Sequence, residues 1–121
     1  MITQFTRKFE FSASHQLQFA GEKCKNMHGH NYKCQVTIRD EVNDEGYICC
    51  LEELKENIGY LLNAFDHGNL NDLFYEEAIT QEPTCEAIAV YFYESLKHQG
   101  YDSLAVSVAE TDKNSAYAGD F

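Results

Sequence analysis

Several things are scarce in this 121-residue chain, and each scarcity removes a class of protein. It has no apolar run long enough to cross a bilayer and no N-terminal apolar segment of the signal-peptide kind, so a soluble, cytoplasmic protein is expected. Only nine Lys and Arg stand against 20 Asp and Glu, a net charge of −11. That balance argues against nucleic acid or an anionic membrane surface as the main partner, because both select for basic patches. Proline occurs once, at Pro83, and low-complexity segments, repeats and linkers are missing. The five cysteines, Cys24, Cys34, Cys49, Cys50 and Cys85, are odd in number and contain no C-x-x-C pair. A disulfide framework is therefore not expected, and free thiols in a reducing compartment are. The length suits one domain, spanning 1–121, with its own core.

What the chain does have is an ordered change of period. Phe5 to His15 alternates with Phe, Ala and His on one face, and residues 30–39 place Tyr32, Cys34, Val36 and Ile38 on one face and polar residues on the other. Both read as strands, paired as a long hairpin with residues 16–27 as its loop. Asn43 to Gly46 reads as a turn, and Tyr47 to Cys50 as a short strand end. From Leu51 the spacing turns helical, with Leu54, Ile58, Leu61, Leu62 and Phe65 on one stripe. Pro83-Thr84 opens a second helix that runs to about residue 98, and Gly100 stops it. Leu104, Val106, Val108 and Glu110 then share a strand face, with a short strand expected near the C-terminus. The order β-β-α-α-β-β predicts an α+β domain: an antiparallel sheet of about four strands with two helices on one face. Oligomerisation is one way to cover the sheet edges this leaves.

The histidines carry the chemistry. His28 and His30 are two apart in C-K-N-M-H-G-H, so on a strand they share a face. His15 ends the strand expected to pair with theirs. Three imidazoles with a fourth position open is the ligand set of catalytic zinc. Cys24 lies between Lys23 and Lys25, where positive charge favours the thiolate; the alternative is a fourth ligand that closes a structural site. Asp66-His67 is either a polar helix end or a turn in which the carboxylate holds an imidazole that exchanges protons. Glu110 is either a solvated strand end or a carboxylate that binds two adjacent N–H donors of a pterin or guanine, with Thr84 and Thr111 adding hydroxyl contacts.

Six motifs run through nearly the whole chain: F-x-A-x-H at 11–15, C-x-x-x-H-G-H at 24–30, G-Y-I-x-x-L-E-E-L-K at 46–55, D-H-x-x-L-N at 66–71, P-T-x-E-x-I-A at 83–89 and E-T at 110–111. In order and spacing the chain resembles the 6-pyruvoyl-tetrahydropterin synthase family. The resemblance implies the tunnelling fold (T-fold) and a hexamer of two stacked trimeric barrels with active sites between subunits. It implies Zn2+ on His15, His28 and His30, and Cys24 as catalytic thiol. Asp66 and His67 would complete a proton relay reaching a neighbouring subunit, and Glu110 would anchor the pterin. The three residues between Cys24 and His28 resemble the bacterial 6-carboxytetrahydropterin synthases of queuosine biosynthesis. That implies 7,8-dihydroneopterin triphosphate as substrate, with 6-carboxy-tetrahydropterin, acetaldehyde and triphosphate as products. A 6-pyruvoyl-type synthase is the alternative within the family, and a non-catalytic zinc or pterin-binding module the alternative outside enzymes. Two departures stand out. The chain has Cys50-Leu51 where the family usually has Asp-Phe, and Gln16 where a basic residue often follows the first zinc histidine. For a triphosphate, Lys23, Lys25 and Lys113 are the candidate contacts.

Overall fold

The computed structural model describes residues 1–121. Strand β1 spans Ile2–His15 and β2 spans His28–Glu41, and they pair antiparallel from Ile2↔Glu41 to His15↔His28. Both strands are longer than their alternation suggested, because the ladder continues past the last buried apolar residue at the far end. Helix α1 spans Leu51–Phe65, strand β3 Gly68–Asn69, helix α2 Leu70–Glu76 and helix α3 Cys85–His98. Strands β4 (Leu104–Ala109) and β5 (Ser115–Gly119) complete the chain.

The sheet runs β3-β1-β2-β4-β5, five strands, with β3 parallel to β1 and every other pair antiparallel. The expected α+β architecture is present, but the sheet is mixed and a third helix has been added. The observed order is β-β-α-β-α-α-β-β, with a single 3-10 turn at Glu22–Lys25 between the first two strands. Tyr47 to Cys50 is not a strand end: the segment bends directly into α1, with Cys50 as N-cap and no side-chain capping bond. An aspartate there would accept from the first-turn N–H groups, which a thiol does poorly.

One sheet face builds the core. Phe11, Tyr32, Cys34, Val36, Val106 and Val108 are buried on it, as alternation requires. Against them pack Leu54, Ile58 and Phe65 of α1 and Ile88, Phe92 and Leu96 of α3. The aromatic centre is tight: Phe11 stacks on Tyr32 at 4.6 Å and meets the edges of Phe65 and Phe92 at 5.6 and 5.7 Å. The opposite face, with Ser12, Asn31, Lys33 and Ser107, is polar and has no helix over it. No helix of the chain is long and apolar enough to cross a membrane.

Candidate metal centre

The β1–β2 register decides the site. His15 stands opposite His28 and Ala13 opposite His30, so all three imidazoles leave the core-facing side at one end of the hairpin. One ligand atom from each lies within 4.8 Å of the others. Ring centroids are 4.6 to 5.2 Å apart and the rings stand at steep angles to one another. Gly29, between the two β2 histidines, lies in the regular ladder opposite Ser14, so the backbone does not bend there as an ion-hugging glycine would.

Hydrogen bonds fix which nitrogen is free. His15 Nδ1 is 2.8 Å from the Pro83 carbonyl, and a carbonyl only accepts, so Nδ1 carries the proton. Nε2 of His15 is then an unprotonated lone pair, and it is fully buried with no partner. Leaving a buried polar atom unpaired costs about 1–3 kcal/mol, a penalty a bound cation removes. His28 follows the same pattern, its Nδ1 2.7 Å from the Asn26 carbonyl. Both carbonyls play the outer partner that orients a metal-binding histidine. His30 has its pKa pushed down, chiefly by burial, with Glu110 opposing and His15 and His28 adding to the fall; this favours the neutral, ligating form. The Tyr32 hydroxyl, also buried, lies 3.3 Å from His15 Nδ1, and burial raises its pKa.

The remaining candidates do not all gather at the imidazoles. Glu110 follows β4 and faces the imidazoles, its Oε2 4.0 Å from His30 Nε2 and its side chain 22% exposed. Cys24 sits in the 3-10 turn, half-buried, and its sulfur is outside the cluster of ligand atoms, so the closed one-cysteine, three-histidine site is not formed. Lys25 beside it is paired with Glu22 at 3.1 Å.

Asp66 and His67 lie elsewhere. α1 stops at Phe65, and His67 takes a left-handed conformation, φ 59°, that turns the chain into β3. Asp66 Oδ1 accepts from the Ser12 N–H at 2.9 Å, and Oδ2 is 3.1 Å from His67 Nδ1. The Ser12 hydrogen bond is the largest cause holding the Asp66 carboxyl below its ordinary range; partial desolvation opposes it and His67 reinforces it. The pair is thus the turn form, an oriented imidazole. The His67 side chain is 84% exposed, in a shallow depression with Ser12, Ser14 and Asn31 on the polar sheet face. The three-histidine cluster is on the other face, and no hydrogen bond joins Cys24 to Asp66 or His67 within the chain.

Thr84 and Thr111 are occupied locally. Thr84 caps α3, its Oγ1 accepting from the Ala87 N–H at 3.1 Å. Thr111 Oγ1 accepts from the Lys113 and Asn114 N–H groups at 3.2 Å, shaping the β4–β5 turn. Thr111 keeps only its O–H donor for a ligand, whereas Thr84 keeps its O–H and one acceptor lone pair. The residues that sequence reasoning passed over are Pro83 and Asn26, which act through backbone carbonyls, together with Tyr32. Carbonyls leave no residue-type signal, and Tyr32 read as an ordinary core aromatic.

The family model of 6-pyruvoyl tetrahydropterin synthase matches residues 4–119. The chain is 32% identical over 117 residues to a 6-carboxy-5,6,7,8-tetrahydropterin synthase of Synechocystis sp., covering 91% of this chain and 88% of that protein. It is 34% identical over 128 residues to the human 6-pyruvoyl tetrahydrobiopterin synthase, covering 92% and 87%. Among solved structures, the Caenorhabditis elegans 6-pyruvoyl tetrahydropterin synthase superposes with a TM-score of 0.86 at 30% identity, over 100% of this chain and 97% of that one. That likeness supports the tunnelling-fold architecture. On the match over residues 4–119, the chain belongs to the 6-pyruvoyl tetrahydropterin synthase family.

Proposed function

We propose that this chain is a zinc-dependent lyase that remodels the side chain of a 7,8-dihydropterin in the manner of the 6-pyruvoyl synthases. The observation that carries the reading is the imidazole cluster, in which two carbonyls fix tautomers and His15 Nε2 is buried with an unused lone pair. The all-imidazole donor set with a fourth position open suits Zn2+. Zinc held there supplies Lewis-acid polarisation of a substrate hydroxyl or carbonyl oxygen. His15, His28 and His30 hold the ion, and Glu110 receives two N–H donors of the pterin edge, fixing which side-chain carbons face the site. Cys24, as thiolate, takes a proton from the substrate side chain. His67, held by Asp66 through Nδ1, exchanges a proton at Nε2. Thr84 and Thr111 donate O–H groups to the ring, and Lys23, Lys25 or Lys113 meets the phosphates.

Asp66-His67 and the metal cluster occupy opposite sheet faces, which supports a relay supplied by a neighbouring subunit. The sheet edges support assembly too. β3 pairs with β1 only at Ala13↔Gly68 and Ser14↔Asn69, so most of the long β1 edge is free, as is the outer edge of β5. A hexamer of two trimers is the proposed assembly.

The second reading is 6-carboxytetrahydropterin synthesis in queuosine formation, favoured by the three residues between Cys24 and His28. Incubation with 7,8-dihydroneopterin triphosphate separates the two. Identification of 6-pyruvoyl-tetrahydropterin and triphosphate by mass spectrometry supports the first, whereas 6-carboxy-tetrahydropterin with released acetaldehyde supports the second. A zinc-loaded protein that turns over neither would be a binding module.

A further inference from the structure

Immediately after His15, three consecutive backbone N–H groups are each tied to a different partner. Gln16 N–H donates to Asn71 Oδ1 at 2.8 Å, and Asn71 Nδ2 donates back to the Gln16 carbonyl at 2.9 Å. Leu17 N–H donates to the Cys24 carbonyl at 2.6 Å. Gln18 N–H donates to Glu82 Oε1 at 2.5 Å. The Leu17 side chain is buried, so the loop is pinned by packing as well.

Asn71 lies in the first turn of α2, whose N-terminus is capped by the Asn69 side chain, and the helix is seated by the buried Leu70 and Phe74. Glu82 immediately precedes Pro83, whose carbonyl orients His15. The clamp therefore joins three things in space: the end of the strand carrying His15, the loop carrying Cys24, and the segment that sets the His15 tautomer. The N–H and C=O of Gln16 are both satisfied by one carboxamide, a group that only Asn and Gln side chains offer.

We propose that Asn71 and Glu82 are positioning residues that hold loop 16–27 so that Cys24 is set at a fixed place relative to the three histidines. This inference rests on the lyase reading for its catalytic consequence, and on hydrogen bonding alone for its structural one. Without the clamp, residues 19–27 keep the Leu17–Cys24 bond at one end and, at the start of β2, the Asn26 carbonyl on His28 Nδ1 and the long Asn69 Nδ2 contact to Met27 Sδ at 4.0 Å.

The test compares Asn71→Ala, Glu82→Ala and Glu82→Gln with the wild-type chain in two measurements. In limited trypsin digestion, cleavage after Lys23 and Lys25 is followed relative to cleavage after Lys55 and Lys97, which lie in helices. Cleavage reports the open population of the loop. Asn71→Ala and Glu82→Ala are expected to raise the loop-to-helix ratio about tenfold, the effect of losing one or two hydrogen bonds. Glu82→Gln, which keeps an acceptor for Gln18 N–H, is expected to stay within about twofold of wild type. In turnover, the two alanine variants are expected to lose kcat more than they raise KM while zinc per chain holds, with Glu82→Gln restoring kcat. An unchanged cleavage ratio in both alanine variants overturns the clamp. Raised cleavage with unchanged kcat overturns the positioning role. If Asn71→Ala does not fold, the Glu82 pair decides. A wild-type chain that binds no zinc and turns over no dihydropterin defeats the lyase reading, while the digestion still decides the clamp.

Discussion

On His15 the proton sits on Nδ1, and that placement leaves a buried histidine with a free Nε2 lone pair beside two other imidazoles. A core histidine normally finds partners for both nitrogens; here the second nitrogen is buried without a hydrogen-bond partner, in a cluster with two other imidazoles. His15→Ala is expected to lower zinc affinity by more than the roughly 10–100-fold that loss of an outer partner costs, measured by competition with a chromophoric chelator. Cys24→Ala is expected to reduce turnover about 10²–10⁴-fold while zinc per chain is unchanged, because its sulfur is outside the ligand cluster. Zinc loss in that variant would instead make Cys24 a ligand. Asp66 offers a pH readout. Its folded pKa is lowered by Ser12 N–H and His67, so the stability it contributes is complete above the ordinary Asp value. It is lost as pH falls below about 3.9 through the lowered value. Asp66→Asn should flatten that part of the acid-denaturation curve in zinc-free protein; an identical acid limb would show that the carboxylate does not stabilise the turn.

Among the elements, the hairpin and helix α3 place the site, and their legibility in the sequence differed. Alternation, clean in β2 and broken in β1 by Arg7 on the apolar face, made the hairpin readable, and the buried stripe Leu54, Ile58, Leu61 and Phe65 made α1 readable. β3 was not readable, since two residues have no period. α2 was not readable either, because its buried Leu70 and Phe74 span barely one turn. Its one local signal was Asn69 directly before Leu70, an N-cap. Thr84 shows how an element end serves the site: capping α3 also fixes the peptide that follows Pro83. Thr84→Ala is expected to cost about 1 kcal/mol in urea unfolding, with Thr84→Ser recovering most of it. A change in pterin KM larger than the change in stability would assign Thr84 to the ligand as well.

For the whole molecule, the decisive feature is that Asp66-His67 and the three-histidine cluster lie on opposite faces of one sheet, while the long edge of β1 is mostly unpaired. A site divided between subunits makes a specific prediction. Cys24→Ala and His67→Ala chains, each inactive alone, should regain about a quarter of wild-type activity when unfolded together and reassembled at equal amounts, since sites form at random between copies. No recovery in a mixture shown by sedimentation to be assembled would place the whole site in one chain.

Local chemistry written in the sequence determined the strand faces, the two longer helices and the candidate donors, because period and residue type act over a few neighbours. That made His15, His28 and His30 identifiable as a set, along with Cys24, Asp66, His67 and Glu110. The tertiary structure decided which of these meet. Pairing across loop 16–27 brings His15 to His28, and the Pro83 carbonyl, 68 positions away along the chain, chooses the nitrogen that stays free. A backbone carbonyl is the same in every residue, so its role comes only from where the fold carries it.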